Sequence, residues 1–264
     1  MGYRLLIDRP TVGRRPLVIL PTYNERENLP RMVEAIRSSL PLATVWVVDD
    51  NSPDGTGRLA DDLAAQDSRV QVIHRAAKLG LGTAYIEAFG RALQSDFDSI
   101  LQMDADFSHD PAYLPRLLDL LQDADLVIGS RYVRGGGTEN WSRLRELISR
   151  GGNAVARTGL GVKTRDATGG FRAFRPSTLR QLHFDDLKLR GYGFQIEVVY
   201  QVEHRGLTIR EAPIIFVERA AGTSKMSRDI VLEAAMHIVH RRFKLLRRVE
   251  EPEPDQLQAA SHEC

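Results

Sequence analysis

Cysteine is almost absent from this 264-residue chain: Cys264, the last residue, is the only one. That excludes an internal disulfide framework and a cysteine metal cluster, and it points to a reducing compartment. Charge of one sign is lacking too. Lys plus Arg number 36 against 35 Asp plus Glu, so no global basic field exists to attract nucleic acid. No run approaches the roughly 18 consecutive apolar residues of a membrane span, and the first residues lack the apolar core of a secretory signal. No G-x-G-x-x-G follows the first apolar strand, which sets a dinucleotide-dependent dehydrogenase aside. Internal repeats are also missing. What remains is a chain long enough for one large α/β domain or two small ones, soluble or resting on a membrane surface.

The most informative stretch is Leu101-Gln102-Met103-Asp104-Ala105-Asp106-Phe107-Ser108-His109. Two carboxylates stand one residue apart just after an apolar run, Ile100 to Met103, that reads as the end of a buried strand. Along extended backbone Asp104 and Asp106 would share a side. One or two carboxylates are enough to fix a hard divalent cation whose other positions go to water and phosphate oxygens. Two acids at a strand end also serve simply to cap a turn and the next helix.

Around this stretch the chain alternates strand and helix. Leu17 to Leu20 reads as a strand, followed by the loop Pro21 to Glu25 and a helix to Leu40 with Asn28 as its N-cap and Pro30 in its first turn. Thr44 to Val48 is a second strand, ending in the turn Asp49-Asp50-Asn51-Ser52-Pro53-Asp54-Gly55. A helix Thr56 to Gln66, a strand Val70 to Ile73, the loop Lys78 to Gly82, a helix to Leu93, the Ile100 strand, a helix after Pro111 and a strand Leu126 to Ile128 follow. This alternation predicts a mostly parallel sheet with helices on both faces. In such a sheet ligands bind beyond the carboxyl ends of the strands, where these acidic and Gly-rich loops would converge.

Past Gly129 the pattern loosens. Arg134 to Asn140, with three consecutive glycines, is expected to be a mobile lid. A helix from about Trp141 to Thr158 carries Arg143, Arg145, Arg150 and Arg157, and Thr164 to Phe174 reads as a further turn at the functional edge. Gly191 to Glu203 is expected to be helical and Ile214 to Val217 a late strand. The stripe Ile230, Val231, Ala234, Ala235, Ile238, Val239, Phe243 and Leu246 predicts a last helix, with Arg241, Arg242, Lys244, Arg247 and Arg248 on its other face and end. Two readings fit it: a core-packing helix with a solvated basic end, or an interfacial helix drawn to anionic lipid. The resulting division is an arm (1–16), a main domain (17–226), the amphipathic helix (227–249) and a disordered acidic tail (250–264).

The loops occur in a recognisable order. Pro21-Thr22-Tyr23-Asn24-Glu25, Val48-Asp49-Asp50-Asn51-Ser52-Pro53-Asp54-Gly55-Thr56, Lys78-Leu79-Gly80-Leu81-Gly82-Thr83-Ala84, Met103 to His109, Gly129-Ser130-Arg131-Tyr132, Asp166 to Phe171, Gly191 to Glu197 and Arg219 to Lys225 together resemble the polyprenol-phosphate (dolichol-phosphate) mannosyltransferases of glycosyltransferase family 2. The resemblance implies a GT-A fold, in which Pro21, Tyr23, Glu25, Val48, Asp50, Lys78, Asp104 and Ala105 contact the nucleotide. Asp104 and Asp106 would hold Mg²⁺ or Mn²⁺. Ser108 stands where some relatives offer a Gln as a further metal contact, with water as the alternative there. Arg131, Arg145, Arg219 and Lys225 would bind the acceptor phosphate and the diphosphate, and Asp106, Arg131, Arg145 and Arg219 form the catalytic set.

The activity implied is inverting transfer of mannose from GDP-mannose to a polyprenyl monophosphate at the cytoplasmic face of a membrane. Many relatives carry membrane spans or borrow an anchoring subunit, and here the 227–249 helix would take that part. Two competitors were weighed: a family 2 enzyme moving glucose or N-acetylglucosamine from a uridine nucleotide, and a non-catalytic nucleotide-sugar or membrane-binding protein on the same fold.

Overall fold

The computed structural model describes residues 11–184 and 192–218. Its elements in chain order are β1 (Pro16–Thr22), α1 (Leu29–Ser39), β2 (Thr44–Asp49), α2 (Thr56–Gln66), β3 (Val70–His74), α3 (Leu81–Ala92), β4 (Ser99–Gln102), α4 (Leu114–Leu121) after a 3-10 turn, β5 (Leu126–Ser130), β6 (Gly137–Glu139), α5 (Arg143–Leu160), β7 (Arg172–Phe174), α6 (Pro176–Leu179), α7 (Tyr192–His204), β8 (Ile209–Pro213) and β9 (Ile215–Val217). Seven strands form one sheet in the order β3-β2-β1-β4-β7-β5-β8, and β6 pairs with β9 in a second, two-stranded sheet. All pairings in the large sheet are parallel except those of β7, which lies antiparallel between β4 and β5. The expected mostly parallel sheet with helices on both faces is therefore present.

The central strands are apolar at nearly every position because both faces are covered. Along β1, Leu17 and Ile19 pack into the layer of α3, α5 and α7, with Phe89, Leu160 and Phe194. Val18 and Leu20 face the opposite layer, where Met32 and Ile36 of α1 meet Leu117 and Leu121 of α4. Pro21 is tolerated at the end of this central strand for a geometric reason. Met103 N–H donates to the Ile19 carbonyl, and Pro21, two residues on, faces the same way, beyond the end of β4, so no ladder bond is forfeited.

Several expectations are corrected. Asn28 stands at the N-cap of α1 as expected, but with helical backbone and no side-chain cap bond; its amide side chain donates to Glu25 at 2.9 Å, and its N–H donates to the Glu25 carbonyl. The supposed arm is anchored by residue 13, because the N–H groups of Gly13, Arg14 and Arg15 all donate to the Asp98 carboxylate at 2.8–2.9 Å. The Arg134 to Asn140 segment is not a lid. Its end forms β6 on β9, and a Cβ on Gly136 would lie 2.4 Å from the Ser130 carbonyl oxygen, while Gly135 holds φ +89°. These glycines serve close packing. Strands β7 and β8 were not anticipated at all. The 227–249 helix and the 250–264 tail lie outside the described residues.

Candidate active site

The loops after β1 and β2 are stitched together by backbone donors. Asn24 N–H donates to Ser52 Oγ (3.1 Å), Glu25 N–H to Thr56 Oγ1 (3.0 Å) and Arg26 N–H to Asp54 (3.3 Å). Asp49 caps the turn after β2, accepting from Thr22 Oγ1 and from the Ser52 N–H and hydroxyl. Its neighbour Asp50 is buried and well supplied with donors. One oxygen meets the Arg75 guanidinium and the other accepts the N–H groups of Leu79 and Gly80, at 3.2 and 3.1 Å. Arg75 also reaches Glu87 (3.1 Å) and Thr83 (2.8 Å), so it locks the third loop against the second. The sequence reading missed Arg75, which follows β3 directly. Lys78 sits with its ammonium 3.9 Å above the centre of the Tyr23 ring, which joins two of the expected nucleotide contacts. Val48 is different: its side chain is in the core, so only its backbone faces the loops.

Beyond β4 the chain bends at once, so Asp104 and Asp106 are arranged by a turn and not by strand alternation. Tyr85, fully buried on α3, donates its hydroxyl to the Met103 carbonyl at 3.2 Å. Asp104 N–H donates to His109 Nδ1 at 3.1 Å, and Ser108 N–H donates to Asp106 Oδ1 at 3.0 Å. Phe107 takes φ +60°, a left-handed conformation that costs a bulky residue energy and that the surrounding bonds impose. The Asp104 side chain is 28% exposed, whereas residue Asp106 is 6% exposed. Among the described residues no third His, Cys, Asp or Glu joins the two acids in a metal-binding group.

His109 links this turn to the next. Its ring stacks on Phe171 (5.0 Å, 23°) and meets Phe216 edge-on (5.3 Å). Burial lowers its pKa, against the upward pull of Asp104 and Asp106. A neutral ring whose Nδ1 accepts from Asp104 N–H keeps its proton on Nε2.

After β5, Arg131 is buried and forked onto Asp166, with Nε to Oδ2 at 2.8 Å and Nη2 to Oδ1 at 2.6 Å, and Nη2 also reaches Thr168 at 2.9 Å. Burial alone would raise the Asp166 carboxyl, but the Arg131 guanidinium holds it below the usual carboxylate range. Asp166 is in turn held by Glu211, which accepts the N–H groups of Arg165 (2.9 Å) and Asp166 (3.0 Å). Asn153 of α5 accepts from the Thr168 N–H and donates to its hydroxyl. Arg172 lies beneath, wholly buried, donating to the Gly169 and Ala167 carbonyls; burial pushes it down to about 9, which leaves it charged at neutral pH. Arg145 pairs with Glu218 and lies 4.2 Å over Trp141. Arg219 and Lys225 lie outside the described residues.

The structure thus brings Tyr23, Glu25, Asp50 and Lys78 into one loop cluster, and connects the Asp104–Asp106 turn to Arg131 by way of His109 and Phe216. Asp166 was legible only as part of a turn, and its pairing with Arg131 is a contact between segments 35 residues apart.

Comparison with known proteins places the chain in a family. The model of the family described as glycosyl transferase family 2 matches residues 17–182. The chain is 48% identical over 224 residues to undecaprenyl-phosphate mannosyltransferase of Micrococcus luteus, covering 85% of this chain and 92% of that protein. It is 46% identical over 232 residues to polyprenol monophosphomannose synthase of Mycolicibacterium smegmatis, covering 87% of each. In fold it is similar to glucosyl-3-phosphoglycerate synthase from Mycobacterium tuberculosis, solved with Mg²⁺ and uridine diphosphate: TM-score 0.64, 21% identity, 88% of this chain and 80% of that one. The loops that carry the site lie inside a match spanning most of the chain, and the chain belongs to glycosyl transferase family 2, in the branch that holds the polyprenol-phosphate mannosyltransferases.

Proposed function

We propose that this enzyme transfers mannose from GDP-mannose to a polyprenyl (dolichyl-type) monophosphate at the cytoplasmic face of a membrane, by a single displacement that gives a β-linked lipid phosphomannose. The observation that carries the reading is a bridge of rings: His109, which accepts from the Asp104 N–H, packs edge-on against Phe216, and Phe216 lies 5.6 Å from the Arg131 guanidinium, in a chain 46–48% identical to two enzymes named for lipid-phosphate mannose transfer.

The reaction brings together two anions, a sugar nucleotide and a lipid phosphate. The acceptor has a second pKa of about 6 and is already a nucleophile near neutral pH, so no protein base has to remove a proton. The protein's task is to hold charge. Arg131, Arg145, Arg219 and Lys225 bind the acceptor phosphate and the diphosphate in this reading, with Arg131 kept rigid by Asp166. Pro21, Tyr23, Glu25 and the backbone at Val48 and Ala105 receive the nucleoside and its diphosphate.

Two carboxylates one residue apart suit a hard divalent cation that keeps water and phosphate oxygens in its shell. Asp104 and Asp106 would hold Mg²⁺ or Mn²⁺, and when bound the cation supplies positive charge to the diphosphate leaving group. The Ser108 N–H donates to Asp106 and orients that acid, while its hydroxyl or a water would take a further position on the cation in this reading.

The loops do not single out the donor base: Asp50 and Arg75 are buried against each other, and Asp50 also accepts the N–H groups of Leu79 and Gly80. The second reading is therefore a donor in which glucose or N-acetylglucosamine is carried by a uridine nucleotide. Titration of the enzyme with GDP, UDP and ADP in the presence of Mg²⁺ separates these readings. Tight binding of GDP alone supports the first, tight binding of UDP alone the second, and binding of none removes both.

A further inference from the structure

Two glutamates hold the chain between α5 and β7 by its backbone. Residues 162–166 follow the left-handed Gly161 that ends α5 and belong to no strand or helix, so their N–H groups need other acceptors. Four successive groups are taken two by two. Glu203, on α7, accepts the N–H of Lys163 at 2.7 Å with one oxygen and that of Thr164 at 2.9 Å with the other, which also takes the Thr164 hydroxyl at 2.6 Å. Glu211, on β8, accepts the N–H of Arg165 at 2.9 Å with one oxygen and that of Asp166 at 3.0 Å with the other. The two clamps are alike in chemistry and differ in place. Glu203 holds the start of the segment, whereas Glu211 holds Asp166 itself, whose buried carboxylate carries the Arg131 fork. Glu211 also stands opposite Ile128 in the parallel ladder of β8 with β5, the strand that delivers Arg131. The constraints close on themselves: Arg131 is fixed to β5 by the chain, Asp166 to β8 by Glu211, and β8 to β5 by the sheet.

We infer that Glu211 is a positioning residue for transfer, which sets the direction of the Arg131 guanidinium by fixing the backbone of Asp166. This role rests on the reading of Arg131 as a ligand of the acceptor phosphate or the diphosphate. Arg131 turns Nε and Nη2 onto Asp166, and its own N–H donates to Asp166 Oδ2 at 3.0 Å. The plane of the guanidinium therefore follows the plane of the carboxylate. A side chain with one oxygen for each N–H is what the Glu211 clamp requires. Glutamine in its place keeps one acceptor and sets an NH₂ donor against the other N–H, which displaces Asp166 and turns Arg131 with it.

The test is steady-state transfer and thermal melting of the full chain as wild type, Glu211→Gln, Glu203→Gln, Arg131→Lys and the double variant Arg131→Lys/Glu211→Gln. Glu203→Gln should lower the melting temperature at least as much as Glu211→Gln, because Glu203 holds the Thr164 hydroxyl as well. Transfer should separate them. Glu211→Gln is expected to lose about tenfold in kcat while KM for the sugar nucleotide changes less than about twofold, and Glu203→Gln to keep kcat within about twofold of wild type. In the Arg131→Lys background Glu211→Gln should add less than about twofold, since lysine has no planar fork to misdirect. If Glu211→Gln is not recovered folded, Glu211→Asp, which keeps both oxygens on a shorter stem, takes its place in the same comparison. Equal losses of kcat in the two single glutamate variants, or a loss in the double variant equal to the product of the single losses, overturns the inference. An impaired Arg131→Lys beside a fully active Glu211→Gln overturns it alone, whereas an Arg131→Lys that transfers as wild type does removes the reading of Arg131 together with it.

Discussion

Arg131 owes its position to Asp166, and the cost of removing that carboxylate is the most direct residue-scale consequence. Asp166→Asn strips the partner from a buried cation, which should destabilise the fold by about 3–5 kcal/mol in urea titrations near pH 7. The pH dependence has a definite sign. Because the folded-state pKa is lowered, the carboxylate contributes stability above its unfolded value near 3.9, and this contribution disappears as pH falls through the folded value. The variant should therefore show a flatter loss of stability than wild type as pH is lowered from about 5 to 2. An unchanged acid limb would mean that another carboxylate governs it. Asp106→Ala addresses the other half of the site. It should abolish divalent-dependent binding of the sugar nucleotide by calorimetry while leaving the circular dichroism spectrum unchanged.

At the scale of elements, the small β6–β9 sheet fixes the loop that carries Arg131. A Cβ at Gly136 would collide with the Ser130 carbonyl oxygen and crowd the Arg131 carbonyl, so Gly136→Ala should cost about 1–3 kcal/mol and lower transfer together with the melting temperature. Gly151→Ala, where a Cβ meets nothing within 4 Å, is the control and should be neutral or stabilising. The same region shows where sequence reading reaches its limit. β1 to β5 were legible because they are apolar runs bounded by turn residues, and α2 was legible to the residue. β7 carries Arg172 in the middle of the sheet, and β8 mixes Ile209, Arg210, Glu211 and Pro213. Neither has a periodic apolar pattern, because one strand is a three-residue insertion and the other an edge. The glycine run of 135–137 reads as a mobile loop in the sequence, yet at Gly136 the backbone packs against the Ser130 carbonyl too closely for a side chain.

For the whole molecule, the loop order along the chain was enough to assemble half the site. Parallel strands send all their carboxyl ends to one edge, so Tyr23, Asp50, Lys78 and Asp104 follow from topology alone. The other half depends on β7 and β9 returning residues from far along the chain: Asp166 to Arg131, Glu218 to Arg145, and Phe216 to His109. No spacing encodes those contacts. The acidic turn and Arg131 are connected through His109 and Phe216, and that connection is what the proposed chemistry rests on. Label transfer from GDP-mannose to a short polyprenyl phosphate, with Mg²⁺ or Mn²⁺ and with UDP-glucose and UDP-N-acetylglucosamine in parallel, tests it most directly. Label entering the lipid phase from GDP-mannose alone, lost in Asp106→Ala and on chelation of the metal, is the expected result. Label entering from a uridine donor, or transfer that survives Asp106→Ala, would contradict it.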